Sequence, residues 1–185
     1  MVHIKTPSRL HFGIVDLSGS LGRNYGGIGL AIDKPSYEIV AERSAKPEIK
    51  GEDEKRVNEI ALRVARLYGL PADVKVRVLQ NIPRHVGLGS TTQLTIAVGK
   101  AITELHGLKI HLVELAEKTG RGKNSGVGIY AFTGGGFIVD GGRRNGFPPL
   151  ILRRDFPGEW RFVVATPDIE RGLSEEAEEK LFKRA

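Results

Sequence analysis

Cysteine is absent from the 185 residues, which excludes disulfide staples and thiolate metal sites. Aromatic residues make up only 6% of the chain, and no strand-like segment is rich in them. A face on which bases stack is therefore not expected. No apolar run approaches the roughly 20 residues that span a bilayer. The N-terminal Met1-Val-His-Ile-Lys-Thr-Pro7 lacks the basic-then-apolar layout of a secretory leader. No Gly-x4-Gly-Lys-Ser/Thr loop occurs, so a Walker-type nucleotide site is excluded. No polybasic block occurs either, although the net charge is +6. Dispersed basic residues read as part solvated surface and part anion site. The expectations are a cytoplasmic protein, with no membrane partner and no nucleic acid.

Glycine is the one residue in excess, 24 of 185, where about 7% is usual. The glycines are not periodic and sit among apolar strands, in clusters at 13–29, 87–89 and 120–146. A sparser set at 158–172 reads as ordinary turns. Strands are predicted at 2–6, 9–15, 27–32, 37–41, 73–79, 137–140, 150–153 and 161–165. Helices are predicted at 53–68, 89–106, 111–118, 125–132 and 173–184. Helix 53–68 carries Val57, Ile60, Ala61, Val64 and Leu67 at helical spacing, and Gly69 with Pro71 ends it. This order is not a regular βαβα alternation. It predicts a single α+β domain over 1–185, a βαβ sandwich with helices packed on one face of a mixed sheet. The amphipathic segment at the chain end leads us to expect a homo-oligomer, or association with a C-terminal segment absent from this chain.

The most informative stretch is Pro83-Arg-His-Val-Gly-Leu-Gly-Ser-Thr-Thr-Gln93. It joins a predicted strand to a long apolar helix. A glycine turn at a helix start presents free N–H groups at the positive end of the helix dipole, which binds phosphate. Gly87, Leu88 and Gly89 would let the backbone approach an anion. Ser90, Thr91 and Thr92 would add hydroxyls to it, with Ser90 and Thr91 as candidate metal ligands. A capped helix without a ligand is the alternative. A second basic loop, Thr119-Gly-Arg-Gly-Lys-Asn-Ser-Gly126, offers Arg121, Lys123 and Ser125 to a second phosphate, or is a solvated turn. A third loop, Ser18 to Gly27, either closes over the ligand or is a flexible hairpin. On the strand Ser8 to Asp16, Arg9 and His11 point the same way. They form a ligand-facing pair or a buried structural one, and Asp16 ends the strand. His85 is the best placed of the five histidines. Asp140 is open between metal ligand and turn former, and Trp160 is read as core. Gly126-Val-Gly-Ile-Tyr-Ala131 is a loose dinucleotide pattern with no preceding strand, and carries little weight.

These segments resemble the GHMP kinases. Pro83 to Thr92 matches their strand, Pro-x3-Gly-Leu-Gly-Ser-Ser/Thr and buried helix. Thr6 to Gly13 and Gly122 to Gly136 match the motifs on either side of it. The resemblance implies the N-terminal domain of that superfamily. Kinases of the group usually carry Ser-Gly-x-Asp where this chain has Ser125-Gly-Val-Gly128, and their first-motif lysine is replaced by the neighbourhood of Arg9 and His11. In these departures the chain resembles the β-ribofuranosylaminobenzene 5′-phosphate synthases. That resemblance implies a decarboxylating transfer from phosphoribosyl pyrophosphate to 4-aminobenzoate or 4-hydroxybenzoate, in methanopterin biosynthesis. It implies Mg2+ as cofactor, Gly87 to Thr92 and Arg121 with Lys123 as the anion cradles, and Arg9, His11, Asp16 and His85 around the reacting centre. Which loop takes which phosphate stays open. The alternatives are an ATP-dependent small-molecule kinase, a non-catalytic RNA-binding domain, and an inactive fragment.

Overall fold

The computed structural model describes residues 1–167. In chain order these form β1 (Val2–Lys5), β2 (Ser8–Asp16), β3 (Tyr25–Ile32), β4 (Glu38–Arg43), β5 (Glu48–Gly51), α1 (Glu54–Tyr68), β6 (Val74–Gln80), α2 (Ser90–Leu105), α3 (Leu112–Lys118), α4 (Val127–Gly134), β7 (Phe137–Asp140) and β8 (Leu150–Arg154). The predicted helix at 173–184 lies outside the described residues.

The α+β fold expected from the sequence contains two sheets of four strands, one mixed and one antiparallel. One has the order β1-β4-β6-β5, the other β2-β3-β7-β8. In the first, β5 runs parallel to β6 and the remaining pairs are antiparallel. The second is antiparallel throughout. The short strand β5 had no sequence signal beyond Ile49. Its backbone pairs with β6, so the ladder and not side-chain pattern makes it a strand.

In β6, Val74, Val76 and Val78 are buried while Arg77 is exposed, the alternation of a strand with one covered face. Helix α1 buries Val57, Ala61, Val64 and Ala65. It ends at Gly69 in the left-handed conformation, φ 62°, where the Leu70 N–H reaches back to the Ala65 carbonyl at 2.8 Å. Helix α2 is buried on most sides, and Leu94, Ile96, Ala97, Val98, Ala101 and Ile102 show essentially no exposed surface. It lies against β1 and β4 and touches α1, α3 and α4. A helix apolar all round is stable only in that central place. Helix α4 covers the second sheet, touching β2, β3 and β7. The two sheets thus meet through α2 and α4, whose N-termini sit side by side.

Two expectations fail at the far edge. Residues 161–165 form no strand, and Trp160 is no core residue: it is 62% exposed and Val163 is 97% exposed. An apolar run becomes a strand only with a ladder partner, and here β8 pairs only with β7 among the described residues. The aromatics of the segment pack on each other instead. Phe156 meets Trp160 at 5.7 Å and Phe162 at 5.3 Å between ring centroids.

Candidate functional site

The turn before α2 is built around Arg9. Gly87 and Gly89 take φ 76° and 78°, which L side chains rarely adopt. The Arg9 guanidinium donates to the Gly87 carbonyl, and the Arg9 backbone N–H donates to the Leu88 carbonyl at 3.2 Å. A Cβ on Gly89 would lie 3.0 Å from Arg9 Cγ. The glycines therefore serve two needs, a left-handed turn and a close seat for Arg9.

The second basic loop is held by a carboxylate and a ring. Asp140, buried at the end of β7, accepts from Ser125 Oγ at 2.7 Å and the Gly126 N–H at 2.9 Å through Oδ2. Its Oδ1 accepts from the Gly142 N–H at 3.0 Å. Ser125 Oγ in turn accepts from the Val127 N–H at 3.1 Å, one of the free N–H groups at the start of α4. A Cβ on Gly122 would stand 2.2 Å from Phe147 Cε2, so the loop lies directly on that ring. The Phe147 ring meets Tyr130 edge to face at 5.8 Å.

The two loops face each other across a cavity of about 350 Å³. Its wall includes Arg9, His11, Gly87, Thr92, Arg121, Lys123 and Ser125, together with Gly13, Ile14, Asn124 and Gly128. Among the described residues three cations line it, Arg9, Arg121 and Lys123, and no carboxylate does. His11 adds no fourth charge. Burial, reinforced by the Arg9 guanidinium, lowers its pKa from the ordinary 6.5 to about 4. It is a neutral imidazole at physiological pH. A Cβ on Gly27 would fall within 3.0 Å of His11 Nε2, Ser125 Oγ and Asp140 Oδ2. Only glycine on β3 leaves room for those three groups to converge.

Several sequence candidates fall elsewhere. Asp16 does not line the cavity. Its carboxylate organises the loop after β2, accepting from the N–H groups of Ser18 at 3.1 Å, Gly19 at 2.9 Å and Leu21 at 2.8 Å. The Leu21 N–H, joined by Ser18, Gly19 and Ser20 and opposed by desolvation, holds its carboxyl below the usual range. His85, at φ 58°, sits in the turn before the glycines and outside the cavity wall. Leu88 belongs to the hydrophobic core. Ser90 is buried outside the wall. Thr91 faces a neighbouring cavity, where its Oγ1 accepts from Arg56 Nη2 at 3.2 Å. The loop from Ser18 to Gly27 does not close over the site. Arg23 pins it to the Gly141 and Gly142 carbonyls, at 2.8 Å and 3.1 Å.

A directly held divalent cation does not fit Ser90 and Thr91. The Thr91 hydroxyl already faces a guanidinium, and Mg2+ favours carboxylate and phosphate oxygens. Among the described residues no group of three His, Asp or Glu side chains could hold a metal ion. No helix of those residues is long and apolar enough to cross a membrane.

Asp140, which the sequence left open between metal ligand and turn former, holds the turns on either side of it. Phe147 is the support that pattern reading missed. It carried no signal, since its role is set by a contact with Gly122, 25 positions away in sequence.

The chain is similar to known proteins along its length. Residues 55–136 match the GHMP kinases N terminal domain. The β-ribofuranosylphenol 5′-phosphate synthase of Archaeoglobus fulgidus is 39% identical over 100% of this chain and 63% of its own length. The protein of the same name from Methanothermobacter thermautotrophicus is 36% identical over 97% of this chain and 62% of its own. The chain therefore spans about three fifths of the length of these relatives. Mevalonate kinase of Methanococcus jannaschii superposes with a TM-score of 0.57 at 17% identity, covering 85% of this chain and 56% of that one, which shows the shared fold.

Proposed function

From a chain that carries the GHMP kinase N-terminal domain, we propose a decarboxylating phosphoribosyl transfer as the chemistry of this cavity, within the full-length enzyme. The donor is phosphoribosyl pyrophosphate. The acceptor is a para-substituted benzoate, and the phenol in the relatives' name favours 4-hydroxybenzoate over 4-aminobenzoate. The observation that supports the reading is a cavity whose described wall brings together Arg9, Arg121 and Lys123 and, among the described residues, no carboxylate; the resemblance to the kinases implies an acid where this chain has Gly128.

Phosphoryl transfer to an alcohol needs a group that takes or orients the hydroxyl proton. Ribosyl transfer to an aromatic carbon does not. The C1–O bond to pyrophosphate breaks with its electron pair leaving on oxygen. The ring carbon that bears the carboxylate supplies the pair for the new C–C bond. The bond to the carboxylate then breaks, its pair restores the aromatic ring, and CO2 leaves. Atoms and charge balance without an external base. What the protein must supply is a seat for the leaving pyrophosphate and a dry, oriented ring. Arg9 and the N-terminus of α2 suit one anionic end of the donor, and Arg121 with Lys123 the other. The neutral His11 can share a hydrogen bond without adding charge beside the ribosyl centre. Mg2+ is proposed to arrive on the pyrophosphate, as part of the substrate. The cytoplasm is the proposed location.

The test is calorimetric titration of the chain with phosphoribosyl pyrophosphate and with ATP, both with Mg2+. The reading expects tighter binding of phosphoribosyl pyrophosphate, and a loss of at least tenfold on Gly89→Val, whose side chain strains the turn and displaces Arg9. Preference for ATP would return the site to the kinases. Unchanged affinity in Gly89→Val would remove the glycine turn from the cradle.

A further inference from the structure

A second, smaller cavity of about 200 Å³ adjoins the first. Arg121 lies in the wall of both, and Thr91 and Thr92 are neighbours on α2 with one in each. Its remaining wall comes from α1 (Arg56, Glu59, Ile60 and Arg63) with Thr95 and Thr119. Like the main cavity it combines an apolar side chain, threonine and cations, and it adds one carboxylate, Glu59.

We propose that this smaller cavity is the acceptor subsite, taking a para-substituted benzoate with the π face of its carboxylate-bearing carbon turned to the donor cavity. The proposal rests on the reading above. The geometry fixes the orientation. Arg63 reaches the 119–121 loop, its Nη2 lying 3.7 Å from where a Cβ of Gly120 would be. Arg63 and Arg121 therefore stand at the end next to the donor. A carboxylate there puts the ring carbon that must attack closest to the ribose. Glu59 lies one helical turn earlier on α1, about 6 Å along the axis, comparable to the length of a para-substituted benzoate. Its carboxylate suits a hydroxyl or amino hydrogen at the para position. The ring between them rests on Ile60. Arg56 is the weaker competitor for the ligand's carboxylate, because its charge is paired with Asp53 Oδ1 at 3.0 Å and one N–H goes to Thr91 Oγ1 at 3.2 Å. Acceptor and donor then share one wall, the arrangement a direct C–C bond formation requires.

The experiment is calorimetric titration of the chain and of the variants Arg63→Met, Ile60→Trp and Glu59→Gln. Each is titrated with 4-hydroxybenzoate and separately with phosphoribosyl pyrophosphate and Mg2+. Circular dichroism confirms that each variant is folded. The subsite predicts that Arg63→Met and Ile60→Trp weaken 4-hydroxybenzoate binding at least tenfold and leave the donor affinity within about twofold. Glu59→Gln should weaken 4-hydroxybenzoate but not benzoate lacking the para group. Benzoate affinity unchanged in both Arg63→Met and Ile60→Trp would overturn the subsite. So would binding of the donor by a chain that takes no 4-hydroxybenzoate at millimolar concentration, with the donor reading left standing. Arg63-dependent binding of 4-hydroxybenzoate by a chain that takes no phosphoribosyl pyrophosphate would do the reverse, supporting the subsite and sinking the donor.

Discussion

Replacing His11 by asparagine should remove a specific piece of the protein's pH dependence. In the folded chain His11 titrates at about 4, and in the unfolded chain near 6.5. Between those values the unfolded state binds a proton that the native state refuses, so stability falls as pH drops through this window. The gap of about 2.5 pH units, at about 1.4 kcal/mol each, sets a ceiling of roughly 3.5 kcal/mol. His11 is only partly buried beside an open cavity, and solvent screening reduces the expected effect to about 1–2 kcal/mol. The assay is urea unfolding of both proteins at intervals from pH 4 to 7.5, in low salt. Only the difference between the two curves is read. The unmodified chain should lose about 1–2 kcal/mol relative to His11→Asn on going from pH 7 to 4. A difference that stays flat, or changes in the opposite sense, would refute the assignment of a neutral His11. Bound pyrophosphate offsets Arg9, raises the pKa of His11, and should make pyrophosphate affinity increase as pH falls towards 5.

Three further outcomes test the scaffold. Leu94→Ala removes a side chain with no exposed surface from the centre of α2 and should cost about 2–5 kcal/mol in chemical denaturation; a cost below 1 would mean the helix is not the core it is taken to be. Asp140→Ala leaves Ser125 Oγ, Gly126 N–H and Gly142 N–H without their acceptor and should cost about 3 kcal/mol. Pyrophosphate affinity should fall with it, because the basic loop loses its anchor, and normal affinity in a destabilised variant would separate the two roles. Gly122→Ala forces a Cβ onto Phe147 in a backbone held at φ 81° and should weaken pyrophosphate binding about tenfold, whereas Gly158→Ala, with nothing within 4 Å, should leave it unchanged.

The elements legible in the sequence were those with a physical period. Helices α1 and α2 and strand β6 announce themselves through apolar spacing and a glycine stop, and the structure keeps them within a residue or two. The division into two sheets was not legible. Which strands pair is decided by backbone ladders between segments as distant as β3 and β7, and no local pattern encodes that choice. The same ignorance made 161–165 a strand and Trp160 a core residue. Both readings counted apolar content and had no way to see that the ladder stops at β8.

At the site, the residue types were legible and their duties were not. Arg9 and His11 alternate correctly on β2, and they do share a wall with Arg121 and Lys123. Simple alternation would turn Asp16 away from Arg9 and His11, but a bulge between His11 and Gly13 adds one residue and returns Ile14 and Asp16 to their face. Beyond the bulge the Asp16 carboxylate turns to its own loop. The most instructive position is Gly128. As a missing aspartate it counts against a kinase; as a cavity wall it is a constraint. A Cβ there would meet Thr92 Cγ2 at 3.1 Å, and Gln93 Nε2 holds the Gly128 carbonyl at 2.7 Å. The wall of α2 fills the space beside this glycine. A carboxylate introduced at 128 would therefore have to displace Thr92 and would stand on the wall that carries Arg9, Arg121 and Lys123. It would repel an anionic ligand there, and for that reason this wall suits the proposed release of pyrophosphate better than the activation of a hydroxyl.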